Sequence, residues 1–126
     1  MPSGSDESVL RFIRASFPSV WTLELLLTIK SQRRGWAREQ LVAVLRASEL
    51  VVSKSLDALI AAGLASIDSG GVHYIAVNAD VEECVDQVER LYRSRPNLVR
   101  RAIVSANTSS ASAFAEAFKL RRDPDD

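Results

Sequence analysis

One cysteine, Cys84, and one histidine, His73, are all the chain holds of the two residue types that build most zinc sites. A lone thiol closes no disulfide within the chain and fits a reducing compartment. Two residues fall short of a Cys/His zinc cluster, so no metal and no cofactor is expected. Long apolar runs are missing too: no stretch approaches the roughly 18 residues that a membrane-spanning helix needs, and the polar start, Met-Pro-Ser-Gly-Ser-Asp-Glu, does not read as a signal peptide. The expected location is the cytoplasm. Net charge is the last thing lacking, with 16 basic residues against 16 acidic ones. Phosphate contacts usually leave a basic footprint on a DNA binder, and overall charge gives no such sign here.

What is present suits one globular domain: 126 residues, 47% hydrophobic and 25% charged. Neutrality conceals a segregation. Asp80, Glu82, Glu83, Asp86 and Glu89 fall together, whereas Arg93, Arg95, Arg100, Arg101, Lys119, Arg121 and Arg122 follow with only Glu116 against them. Residues 1–6 are expected to be disordered. Glu7–Ser16 reads as a short amphipathic helix ended by Pro18. Ser19 then caps a helix, Val20–Ser31, in which Trp21, Leu23, Leu25, Leu26, Leu27 and Ile29 are apolar nearly all round; such a helix is buried on more than one side and is expected at the centre of the domain.

The chain is organised around residues 36–78. Arg38–Leu45 reads as a short helix, Arg46-Ala47-Ser48 as a tight turn, and Glu49–Ala62 as a longer helix capped by Ser48. Gly63 supplies the left-handed stop, with Leu64 placed to touch Leu59. Val52, Leu56, Leu59 and Ile60 share one face, away from Lys54, Ser55 and Asp57. Strands over Leu64–Asp68 and Val72–Val77 follow, joined through Ser69-Gly70-Gly71, where Gly70-Gly71 supplies positive φ for a tight connection. Trp36 is placed to staple the first of these helices near Leu41, and Gln40 keeps half of a capping box whose other half is missing at Ala37.

The run REQLVAVLRASELVVSKSLDALIAAGLASIDSGGVHYIAV, residues 38–77, resembles the winged helix-turn-helix domains of bacterial transcriptional regulators, in the broad sense that includes the MarR-like and ArsR-like families. The whole-chain pattern also resembles short, stand-alone winged-helix proteins of proteobacteria. The resemblance implies a mainly α fold with a small β-hairpin: a winged-helix domain with flanking helices over residues 7–106, its helix-turn-helix at 38–62 and its wing at 64–77. It also implies double-stranded DNA as partner and transcriptional regulation as function, with helix 49–62 in the major groove and the wing near the backbone. Fold alone does not fix function, and winged helices also serve as protein-binding adaptors.

On this reading Lys54, Ser53 and Ser55 reach phosphates or bases, while Arg46, Arg38 and Ser48 stand beside them, Arg46 and Arg38 as phosphate clamps. None offers the bidentate Arg or Asn pairing of sharp base readout, and the bland alternative is a solvated polar face. Leu50 and Val51 at the helix start either extend the core or form part of a partner interface, since burying each contributes roughly 1.5–3 kcal/mol. After the wing, Asp80 and Glu83 mark a helix start, and Val81, Cys84, Val85, Val88, Leu91 and Tyr92 form a long apolar seam. Arg95-Pro96 breaks it, residues 97–106 resume the helix, and residues 107–126 read as a Ser/Thr-rich linker, a short amphipathic helix with Phe114 and Phe118 one turn apart, and an acidic tail. These terminal helices either complete the core or pair two copies in a homodimer, as two-fold DNA half-sites would favour. Enzyme chemistry is not expected: His73 has no nucleophile or carboxylate at motif spacing, and Gly70-Gly71 lacks the Lys-Ser/Thr of a phosphate loop. Cys84 in an apolar seam is inert by default; a redox-sensing role is the alternative.

Overall fold

The computed structural model describes residues 6–106. The protein is mainly helical with one small antiparallel sheet, in the order α1 (Asp6–Ser16), α2 (Val20–Ser31), α3 (Arg38–Leu45), α4 (Glu49–Ala61), β1 (Ala65–Asp68), β2 (Gly71–Tyr74) and α5 (Ala79–Ser94). A further helix, α6, runs over residues 96–106. No single helix among these is long and apolar enough to cross a membrane.

α2 is the axis, as its all-round apolar pattern predicts. Leu23, Leu25, Leu26 and Ile29 are wholly buried, and the helix packs on α3, α4 and β2. Ser19 caps it, accepting from the Thr22 N–H at 3.2 Å. A bend of 102° at Pro18 separates it from α1, which turns away to pack on α5. Trp21 departs from the expected burial: it is 41% exposed.

Helix boundaries follow local chemistry closely. Leu64 N–H donates to Leu59 C=O at 2.8 Å and Gly63 N–H to Ile60 C=O at 3.0 Å, while Gly63 takes φ +78°. These two bonds are those of a Schellman stop, the apolar-glycine ending expected for α4. Ala37 N–H donates to Gln40 Oε1 at 2.9 Å, so the half capping box forms. α5 starts differently from expectation. Asn78, not Asp80, is its cap, accepting from the Val81 N–H at 2.9 Å, because Asn78 stands in extended conformation while Asp80 is already inside the first turn.

The hairpin pairs Ala65 with Tyr74 and Asp68 with Gly71, so both strands are shorter than their apolar content suggested. Only Gly71 of the glycine pair has positive φ, +112°. The turn is therefore not the mirror-image type that Gly70 would serve. A contact invisible in the sequence anchors this hairpin: Trp36 and Val72 exchange both backbone bonds at 2.9 Å, adding one rung on the far side of β2. Trp36 is thereby buried between the loop and the core, and its indole N–H donates to Gln32 C=O at 3.2 Å. The apolar seam of α5 closes the other side through Val85, Val88 and Leu91, joined by Val99, Ala102 and Ile103 of α6.

A half-buried ion cluster ties α2 to α5. The Lys30 ammonium lies 2.8 Å from Glu89 and 3.1 Å from Asp86 with its side chain 12% exposed. Burial pulls its pKa down, and the bonds and charges of Glu89 and Asp86 raise it by more, leaving it above the ordinary lysine value. Tyr92 donates to Glu24 in the same interface, and burial first, then that bond, raises the phenol pKa.

Candidate functional site

The turn between α3 and α4 is built by Arg46, the only described residue other than glycine with positive φ (55°). That left-handed step lets Ala47 N–H close back on Val42 C=O and aims the chain into α4. Ser48 then caps α4, its Oγ accepting from Val51 N–H at 3.1 Å. Of the residues singled out for nucleic-acid contact, Arg38, Arg46, Ser48 and Lys54 lie exposed around this end of α4. Arg38 reaches from α3 to donate to Ser53 Oγ at 2.8 Å, which holds the two side chains together as one polar unit. Arg46 and Lys54 carry no ion pair or hydrogen bond from their side chains among the described residues, whereas Arg14, Lys30, Arg33, Arg90, Arg93 and Arg95 all meet carboxylates.

Ser55 is a correction. It is 3% exposed, facing the interior beside Leu56 and Leu59, and cannot reach a groove in which Lys54 lies. The physical reason is helical rotation: one residue turns the side chain by about 100°, enough to carry Ser55 from the solvent ridge of Lys54 onto the packed flank. Leu50 and Val51 separate likewise. Val51 is half-buried, and Leu50, 64% exposed, is not part of the core. Phe114 and Phe118 lie outside the described residues.

Charge over residues 38–61 is balanced, Arg38, Arg46 and Lys54 against Glu39, Glu49 and Asp57. The β1–β2 hairpin contributes no Lys or Arg. Its tip carries Asp68, whose Oδ1 accepts from Gly70 N–H at 2.8 Å and lies 2.9 Å from His73 Nε2. The Gly70 N–H first, and His73 second, hold the Asp68 carboxyl below the ordinary carboxylate value. Arg33 and Arg34 from the preceding loop are pinned at the base of the hairpin. Arg33 stacks over Tyr74 at 4.7 Å and approaches Glu82 at 3.6 Å, while Arg34 lies 3.8 Å over Trp36. The Tyr74 hydroxyl beneath is buried without a hydrogen-bond partner. No three His, Cys, Asp or Glu side chains converge among the described residues in a way that would hold a metal ion; Cys84 is a half-buried free thiol.

Three exposed apolar residues on or near the α3–α4 pair escaped periodicity: Val44, and Trp21 and Ile60, both of which it assigned to packed faces. Trp21 sits on the same helical face as the buried Leu25, so spacing alone assigned it to the core; its place in the first turn of α2 was the signal that it reaches past the packed layer. No family model matches the chain, and no characterised protein or solved structure is significantly similar to it.

Proposed function

We propose that this chain is a winged-helix DNA-binding protein acting in transcription, with α4 entering the major groove and the β1–β2 hairpin as its wing. Element order supports the fold: a central helix, the Trp36 rung, two helices across a tight turn, then a hairpin whose second strand takes that rung. The observation that carries the function is the state of Arg38, Arg46 and Lys54. All three stand exposed around the capped start of α4 with no carboxylate partner among the described residues, whereas Arg14, Arg33, Arg90, Arg93 and Arg95 on other surfaces are ion-paired. Arg38, Arg46 and Lys54 meet the phosphates that position such a helix, and Ser53, held by Arg38, faces base edges.

Binding to random duplex DNA, measured against salt, tests this. Neutralising three phosphates predicts a log–log slope of about −2.7, three times −0.9, and Arg46→Ala or Lys54→Ala should each reduce it by about 0.9. Absence of salt-dependent binding at low ionic strength would remove the reading. A second reading, a winged-helix adaptor that binds protein, is favoured by one observation: Leu50, 64% exposed, leads α4 where a base reader would place a polar side chain. Homodimerisation through the terminal helices belongs with either reading and is checked by light scattering against the 13.8 kDa chain mass.

A further inference from the structure

Beside the solvent ridge of α4, about 100° round the helix from Leu50, a cleft opens between α4 and the first turn of α2. Pro18, Trp21 and Val51 form its apolar walls, Ser19, Thr22 and Ser55 its polar points, and Lys54 its rim. Its volume is about 270 Å³, just below the roughly 300–1,000 Å³ typical of small-molecule pockets. That space suits one large side chain. Two of its polar groups satisfy each other, since Ser19 Oγ and Thr22 Oγ1 lie 3.2 Å apart. Ser55, 3% exposed, adds a third polar residue to the lining. Among the described residues Lys54 is the only charged one lining the cleft, and it has no ion pair with any of them. Trp21, exposed on an otherwise buried helix, gives the cleft an aromatic wall of the type that anchors protein interfaces.

We propose that this cleft docks a segment of a partner protein, which inserts one large apolar side chain between Trp21 and Val51 and sets a carboxylate against Lys54. Charge complementarity selects the acid: the rim offers the Lys54 cation, with no carboxylate among the described residues of the lining to repel it. Lys54 is shared with the surface proposed to meet DNA, so a docked segment and DNA compete for that side chain, while Arg38 and Arg46 stand outside the cleft.

The test uses the full chain, labelled with nitrogen-15, and four probes: the blocked peptides acetyl-Ala-Phe-Asp-Ala-amide, its Asn and its Ala-for-Phe analogues, and N-acetylphenylalanine. The Asp peptide should shift the Trp21 indole N–H and the Val51–Ser55 amides saturably. The Asn analogue should bind roughly two- to fivefold more weakly, the range for one partly exposed ion pair, and the Ala analogue should give no saturation. Lys54→Ala should erase the preference for Asp over Asn while the fold, read from the remaining amides, is unchanged. Trp21→Ala should remove saturation at Val51. Equal binding of the Asp and Asn peptides, or shifts confined to other surfaces, would overturn the proposal. Tighter binding of N-acetylphenylalanine than of the Asp peptide would reassign the cleft to small acids and overturn it. So would concentration-dependent shifts of the same signals without peptide, which would assign the cleft to a second copy of the chain.

Discussion

Two adjacent glycines that look alike in the sequence should behave oppositely when given a methyl group. Gly71 has φ +112°, and a Cβ there would lie 2.6 Å from the Trp36 carbonyl oxygen and 3.0 Å from its nitrogen. The backbone strain costs about 1–3 kcal/mol. Relieving the clash means withdrawing Trp36 from Val72 and losing two backbone bonds, each contributing about 0.5–1.5 kcal/mol. Gly71→Ala should therefore destabilise the protein by about 2–6 kcal/mol, lowering the urea midpoint by roughly 1–3 M for an ordinary dependence on denaturant. Gly70 has no positive φ, and its Cβ would meet the side-chain ends of Asp68 at 3.3 Å and His73 at 3.4 Å, both free to shift. Gly70→Ala should stay within about 1 kcal/mol of wild type, helped by a less flexible unfolded chain. Paired urea titrations, followed by the fluorescence of the buried Trp36 and by far-ultraviolet dichroism, compare the two. Equal midpoints for the two variants would refute the assignment of the Trp36–Val72 rung as the anchor of the hairpin.

Arg46→Gly should be neutral or up to about 1 kcal/mol stabilising, because it relieves a left-handed arginine, while lowering the slope of DNA binding against salt; thermal melts and the salt titration together separate the two effects. Ser48→Ala should cost about 1 kcal/mol through the lost cap at Val51, seen in the same denaturation assay. Lys30→Ala should cost about 1.5–3 kcal/mol, since it strips charge-assisted bonds from Glu89 and Asp86 at 12% exposure. The raised Lys30 pKa means that its contribution is fully present below about pH 10.4 and is lost as pH climbs through the folded value. Denaturation midpoints that did not fall on the alkaline side faster in wild type than in Lys30→Ala would contradict that link.

Much of this architecture was legible because short-range chemistry decides it. Ser19, Ser48 and Gly63 end or begin helices through bonds to residues within five positions, and the apolar periods of α2 and α5 name their buried faces whatever they pack against. The candidate site was legible only in outline. Lys54 and Ser55 are neighbours in sequence, and one residue of rotation decides that one meets solvent and the other the interior. The second strand of the hairpin read as Val72–Val77 because its apolar residues run on that far, but pairing ends at Tyr74, before Asn78 caps α5.

Caps, stops and apolar stripes, then, were determined by the sequence itself, since each is settled by groups within a turn or two of chain. The rung between Trp36 and Val72, the exposure of Trp21 and Leu50, and the meeting of Lys30 with Glu89 were decided only by tertiary structure. They join residues up to 59 positions apart or depend on which neighbours stop short of a surface. No local preference encodes such distances; they emerge when α2 is enclosed from both sides at once.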